Sequence, residues 1–303
     1  MAYIIHGATG AQGGPLYARL LAAGKNAVAA VRETRKAGGK PTIAVDNASV
    51  ESLTNAYRDA DGVFVHLPQA PEPIRIQYAQ NIVEAVRSAG PKRVVISTSG
   101  MIVDQPGTPL QAPDDSAIMV LIRGVRDSGI SHAIVAPRLY LENLLLPMVF
   151  EPVKAEGVLR YPVRRDFPVS WSSHLDVAEV AEWLLTDMST TGVVGVGQLP
   201  GLKGADLATG FSEQFGRAVT FEALTPEQFG DLITPLFGPA AAGVVGLYQA
   251  LAQAPDNLIA QDTSAQRLLG ITPRSVSQWL ADVIFRRRLH QLTGRNARCA
   301  VGS

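Results

Sequence analysis

The first half of the chain alternates short apolar runs with longer amphipathic stretches. Residues 2–6 (AYIIH) are apolar, and 15–23 (PLYARLLAA) place apolar residues at helical spacing before Gly24. A short apolar run suits a strand buried on both faces, and an i, i+3, i+4 stripe suits a helix lying on a sheet. The alternation continues, with strands predicted over 27–31, 42–45, 63–67, 93–96 and 132–136 and helices over 50–58, 76–89 and 116–127. Gly90-Pro91 and Ser128-Gly129 close the last two helices, where a left-handed residue and a proline end the ladder. Strands separated by helices cannot pair as hairpins, so the pattern predicts an α/β chain with a doubly wound parallel sheet.

Beyond about residue 145 the pattern loosens. Strands are expected over 167–170, 193–196 and 220–223, and helices over 177–186, 205–215, 240–254 and 275–288. Another helix starts at Thr225, which caps it, with Pro226 in the first turn and Gln228 in the capping-box position. This half reads as a smaller mixed α/β lobe. The expected division is 1–150 and 151–292, interleaved without a clean linker, with 293–303 as a flexible tail.

Composition narrows the class. The 303 residues are 47% hydrophobic, with 27 basic and 27 acidic side chains, so no charge excess points to nucleic acid or an anionic membrane. The cluster Arg286-Arg287-Arg288, with Arg295 and Arg298, is expected to be a solvated helix end. Cys299 is the single cysteine, which excludes an internal disulfide framework and a cysteine metal cluster. The apolar stretch 240–252 is shorter than a bilayer span, and the opening residues lack a signal peptide's basic region, so a cytoplasmic protein is expected.

The chemistry begins at the first predicted strand–helix turn. Gly7, Gly10 and Gly13 follow the strand at G-x-x-G-x-x-G spacing and precede the helix. A helix N-terminus carries partial positive charge, and glycines let a pyrophosphate approach the backbone. The second strand ends at Arg32 rather than an acid, with Arg35 and Lys36 following; a cation there suits a 2′-phosphate and favours NADP(H) over NAD(H). Asp46 and Asn47, after the third strand, stand where an adenine would lie, and Leu67, Pro68 and Gln69 follow the fourth strand at the same sheet edge. Ser97 and Ser99 end the fifth strand, placed to bond a substrate carbonyl or simply to end it. His66 is expected beside the cofactor without acid–base work. His174 and Asp176 have dyad spacing, although Asp176 reads better as a helix N-cap.

Gly7-Ala8-Thr9-Gly10-Ala11-Gln12-Gly13, Arg32, Asp46 with Ser52-Leu53 and Ala56, Asp127-Ser128-Gly129, and the run Pro137 to Asn143 resemble the NmrA-like group of atypical short-chain dehydrogenases/reductases. His174-Leu175-Asp176-Val177-Ala178, Thr263-Ser264, Leu269-Gly270 and Pro273-Arg274 extend the likeness to about 283. The resemblance implies a Rossmann domain binding NADP(H) and a C-terminal lobe for substrate. It implies cofactor contacts from Gly7, Thr9, Gly10, Ala11, Gln12, Gly13, Arg32, Arg35, Asp46, Leu67, Pro68, Ser97 and Pro137, with no metal. Members of the family either reduce quinones and other conjugated carbonyls or alkenes, or sense the NADP(H) state through a regulatory partner. The partners expected are thus a small apolar or aromatic substrate, and a second copy or a regulatory protein.

One departure matters. Short-chain dehydrogenases carry Tyr-x-x-x-Lys on the helix after the fifth strand, the lysine lowering the tyrosine pKa for proton transfer. Residues 116–124 read SAIMVLIRG, with Ile118 and Ile122 where the likeness directs attention. Arg123 stays protonated and makes a poor acid. Tyr140, just past the sixth strand, is then the candidate proton donor, or only a packing residue over the cofactor. The apolar run from Leu144 to Phe150 suits a substrate wall or a core helix equally.

Overall fold

The computed structural model describes residues 2–33, 39 and 41–284. The chain divides into two units, one of residues 1–140, 169–201 and 257–273, the other of 141–168, 202–256 and 274–303.

The first unit holds β1 (Ala2–His6), α1 (Gly13–Ala22), β2 (Ala27–Val31), β3 (Thr42–Ala44), α2 (Val50–Tyr57), β4 (Ala60–Val65) and α3 (Glu72–Ala89). It continues with β5 (Val94–Ser97), α4 (Ala117–Asp127) and β6 (His132–Pro137). The second unit contributes α5 (Pro147–Glu156) and β7 (Val158–Tyr161), after which the chain returns to the first unit for α6 (His174–Thr186) and β8 (Gly192–Val196). Seven strands form one sheet in the order β3-β2-β1-β4-β5-β6-β8, and every neighbouring pair is parallel. The order reverses beside β1, so β1 and β4 flank the crevice where open α/β sheets bind ligands.

Both faces of the sheet are covered, which is why its strands are apolar throughout. On one face Leu53, Tyr57, Ile82, Val86, Ile118 and Leu121 from α2, α3 and α4 pack over Ile4, Val63 and Ile96. On the other, Leu16 and Leu20 of α1 and Val177, Ala181 and Leu184 of α6 pack over Ile5, Phe64, Val95 and Val135. Gly90 takes the left-handed C-cap of α3 at φ 61°.

Helix α6 corrects one expectation. It begins at His174, not 177, and its cap is Ser173, which accepts from the Asp176 backbone while Asp176 bonds back to Ser173. Asp176 is the N3 member of a capping box rather than the cap, because the helix starts one turn earlier than its apolar stripe. The strand expected over 167–170 is an extended segment in which Val169 makes a single bridge to Asn257.

The second unit adds α7 (Gly204–Phe215), β9 (Thr220–Ala223), α8 (Pro226–Phe237) and α9 (Ala241–Gln253). Strands β7 and β9 pair in parallel as a separate two-stranded sheet. Thr225 and Gln228 form the predicted capping box of α8. Tyr161, Phe229 and Tyr248 cluster beside that sheet with ring centroids 5.4–5.6 Å apart, and the Tyr161 and Tyr248 hydroxyls are hydrogen-bonded. The run Pro226–Gln253, 28 residues including a window of mean hydropathy 1.3, is long and apolar enough by composition to cross a membrane. It turns back on itself, however: Gln249 Nε2 donates to Glu227 Oε1 at 2.8 Å, and Gly230 lies against Val245. Length therefore accrues only by counting both arms of a hairpin.

The short helix α10 (Ala265–Leu269) belongs to the first unit. The last helix is described over 276–284 and is opened by Ser275, which exchanges hydrogen bonds with Gln278. Arg35, Lys36, the Arg286–Arg288 cluster, Cys299 and the tail from 293 lie outside the described residues.

Candidate functional site

The three glycines of the first turn do different work. Gly7 leaves β1 with φ +65°, a conformation that a side chain strains. Gly10 donates to the Gly7 carbonyl at 2.8 Å and closes the turn. A Cβ on Gly13 would lie 2.5 Å from the Gly7 and His6 carbonyls, so only glycine lets α1 start this close to β1. The α1 N-terminus therefore faces the sheet edge, where partial positive charge suits an anion. Thr9, Gly10 and Ala11 are exposed on this turn.

A groove of about 390 Å³ opens at that edge. Gly7, Thr9, Arg32, Asp46, Asn47, His66, Pro68 and Gln69, all named from sequence, line it together with His6 and Tyr78. Arg32 is exposed at the end of β2. Asp46 Oδ1 accepts from the Ala48 backbone at 2.9 Å, and Asn81 Nδ2 donates to the Asn47 carbonyl at 2.9 Å, so α3 steadies this loop. Asn47 Oδ1 is buried and accepts no hydrogen bond within the protein. A buried acceptor left so is costly, and an amino group entering the groove would satisfy it. The glycine turn, the cation at β2 and this acceptor fit a phosphorylated dinucleotide. Leu67 differs from Pro68: its side chain is packed in the core with Ile4 and Ile96. Tyr78 carried no signal in the sequence, because the face of α3 that meets the groove is set by packing.

Gln12 and Ser97 lie deeper. Ser97 Oγ donates to Gln12 Oε1 at 2.7 Å, and Gln12 Nε2 lies 3.2 Å from His66 Nε2. Pro137 is buried at the end of β6, and Tyr140, 9% exposed, follows it. The Tyr140 ring lies against His174, with centroids 4.5 Å apart. Burial, with the charge of His66 as a second cause, pushes His6 and His174 down to about 4. Burial and then Arg75 lower His66. At neutral pH these three imidazoles are uncharged. His6 Nε2 is hydrogen-bonded to the Tyr57 hydroxyl at 2.7 Å.

The region after β5 is held by a buried ion pair. Arg138, 1% exposed, meets both oxygens of Asp104 through Nη2 at 2.8 and 3.0 Å and donates to the Leu258 carbonyl through Nε. Asp104 belongs to the connection between β5 and α4, and this pair ties it to the end of β6. Ser99 takes φ +57°, a strained value for a non-glycine, with its N–H on Ser97 Oγ at 3.2 Å. On α4, Ile118 is 1% exposed and part of the core, and Ile122 packs against that core. Glu72 of α3 accepts from the first N–H of this helix at 2.7 Å and also pairs with Arg75.

The NmrA-like family profile matches residues 3–254. The chain belongs to the NmrA-like family. Among curated relatives of this NmrA-like chain is the NAD(P)H azoreductase of Xenophilus azovorans, 28% identical over 91% of this chain and 96% of that one. Another is the (4-alkanoyl-5-oxo-2,5-dihydrofuran-3-yl)methyl phosphate reductase of Streptomyces griseus, 26% identical over 92% of this chain and 96% of that one. Among solved structures, the Citrobacter sp. triphenylmethane reductase complexed with NADP(H) has a TM-score of 0.75 and 19% identity, covering 92% of this chain and 98% of that one. The Escherichia coli NADPH-dependent quinone oxidoreductase complexed with NADPH has a TM-score of 0.70 and 19% identity, covering 94% and 100%. Among the described residues, no group of three His, Cys, Asp or Glu side chains is placed to hold a metal ion.

Proposed function

We propose that this chain is an NADPH-dependent oxidoreductase that reduces a small quinone or an activated carbonyl or alkene. The observation that carries the reading is the groove joining the Gly7 turn to Arg32 and Asp46 at the carboxyl edge of the sheet. Two curated relatives aligned over nine tenths of the chain bear reductase names, which supports the direction of the chemistry.

NADPH, when bound, supplies the hydride. Gly7, Thr9, Gly10, Ala11, Gln12 and Gly13 receive the pyrophosphate, Arg32 and Arg35 the 2′-phosphate, and Asp46 with Asn47 the adenine. Pro68, Ser97, Pro137 and the main chain of Leu67 border the nicotinamide end. Tyr140 donates the proton that completes reduction at the acceptor oxygen, and the uncharged His174 ring against it holds the phenol plane. Without a lysine-activated tyrosine on α4, the chain supplies position more than acid strength, which suits an electron-poor acceptor.

A second reading, an NADP(H)-binding regulator without catalysis, is favoured by one observation: Ile118 belongs to the core and Ile122 packs against it, where a catalytic pair would stand. Purified chain mixed with NADPH and a panel of quinones and enones, followed by the absorbance of the reduced nicotinamide, separates the two. Turnover is expected, and Tyr140→Phe should lower kcat by about tenfold to a hundredfold while NADPH affinity stays constant. Tight NADPH binding with no turnover on any acceptor leaves the regulator.

A further inference from the structure

A hydrogen-bond chain runs from the end of β5 through Gln12 to His66, which lines the groove. The Ser99 N–H can only donate, and it donates to Ser97 Oγ. Ser97 Oγ in turn donates to Gln12 Oε1 at 2.7 Å. The Gln12 amide thus turns its nitrogen to His66, where Nε2 lies 3.2 Å away. An amide nitrogen only donates, so His66 Nε2 must accept, and in a neutral imidazole the proton then sits on Nδ1. Burial and the nearby Arg75 charge keep that ring neutral. Nδ1 lies beside the glycine turn, 3.5 Å from where a Cβ on Gly7 would stand, and His66 lines the groove.

We propose that His66 presents an Nδ1–H donor to an oxygen of the bound dinucleotide at the Gly7 turn, and that Gln12, held by Ser97, is the positioning residue that sets this tautomer. The inference rests on the reading of the groove as an NADP(H) site. It gives Gln12 a task separate from contacting the cofactor: its side chain links the ends of β4 and β5 and selects which histidine nitrogen faces the ligand. It also assigns His66 to ligand binding, without acid–base chemistry, since a neutral donor keeps its proton.

The test uses the full chain with 15N-labelled histidine, and the His66 imidazole signals are assigned by their loss in His66→Phe. At neutral pH without cofactor, Nδ1 should be protonated and Nε2 bare. NADPH should shift the Nδ1 resonance. Gln12→Glu replaces the donor at Nε2 by a carboxylate acceptor and should move the proton to Nε2, a change that a merely structural role for Gln12 would not produce. By calorimetry, His66→Phe should bind NADPH about tenfold more weakly, the effect of one hydrogen bond to a charged acceptor. His66→Asn, whose amide nitrogen can stand near the Nδ1 position, should stay within about threefold. A wild-type ring protonated on Nε2, or a tautomer unchanged in Gln12→Glu, overturns the positioning role. NADPH that binds without moving Nδ1, or binds His66→Phe undiminished, overturns the donor role. Failure of the wild type to bind NADPH at all overturns the groove reading itself, and the tautomer is still read in its absence.

Discussion

The two sides of the sheet edge are built on opposite plans. Around β1, β2 and β3 the functional groups are open: Thr9, Arg32 and Asp46 are exposed, and Asn47, whose side-chain Oδ1 accepts no hydrogen bond within the protein, lines the groove. Around β5, β6 and α4 the polar groups are closed in. Arg138 is spent on Asp104, and the helix that would carry a tyrosine–lysine pair presents Ile118 to the core. The first side is shaped to receive charge. The second is shaped to hold a surface still, with Tyr140 as the proposed acid. A dehydrogenase frame can thus keep its cofactor side while exchanging its catalytic helix for packing. In the proposed reaction the acceptor supplies the reactivity that a tyrosine–lysine pair would have supplied.

That contrast can be broken most severely at the turn both sides depend on. Gly13→Val puts side-chain atoms against the Gly7 and His6 carbonyls, where even a Cβ would be 2.5 Å away. It should cost more than about 4 kcal/mol in denaturant unfolding and abolish cofactor binding. A stable variant would mean that α1 can move off β1.

On the closed side, Asp104→Ala strands a buried guanidinium and should cost about 3–5 kcal/mol, whereas Asp104→Leu with Arg138→Met should recover most of it. Equal losses in the single and double variants would show that packing, and not the ion pair, holds this segment.

The histidines sharpen the comparison through pH. The folded-state pKa of His6, about 4, lies below its ordinary 6.5, so the unfolded chain binds more protons between those values. Its contribution is therefore complete above pH 6.5 and is lost as pH falls toward 4, amounting to about 3 kcal/mol. His6→Gln should flatten that part of the stability–pH curve. An unchanged curve would mean that other groups carry the acid sensitivity.

Legibility in the sequence follows the same divide. Strands β1, β2, β4, β5 and β6 were readable because their apolar runs are mostly buried, and helix α3 because it carries its own stop at Gly90. The glycine turn and Arg32 were readable because backbone clearance and charge are local properties. Helix α5 was not, since it starts at Pro147 and contains Pro152, and strand β7 has four residues whose partner β9 lies some sixty positions on. The Ser97–Gln12–His66 chain was also out of reach. It joins the ends of three elements that only the sheet order brings together. His6 and Tyr57 meet for the same reason.

In the proposed site, Arg32 on the open side binds the 2′-phosphate of NADPH. Calorimetric titration of wild type and Arg32→Glu with NADPH and with NADH tests it directly. The expected result is a loss of about tenfold to a hundredfold for NADPH, with NADH within about threefold of wild type. Equal weakening of both, or no weakening of either, would contradict it.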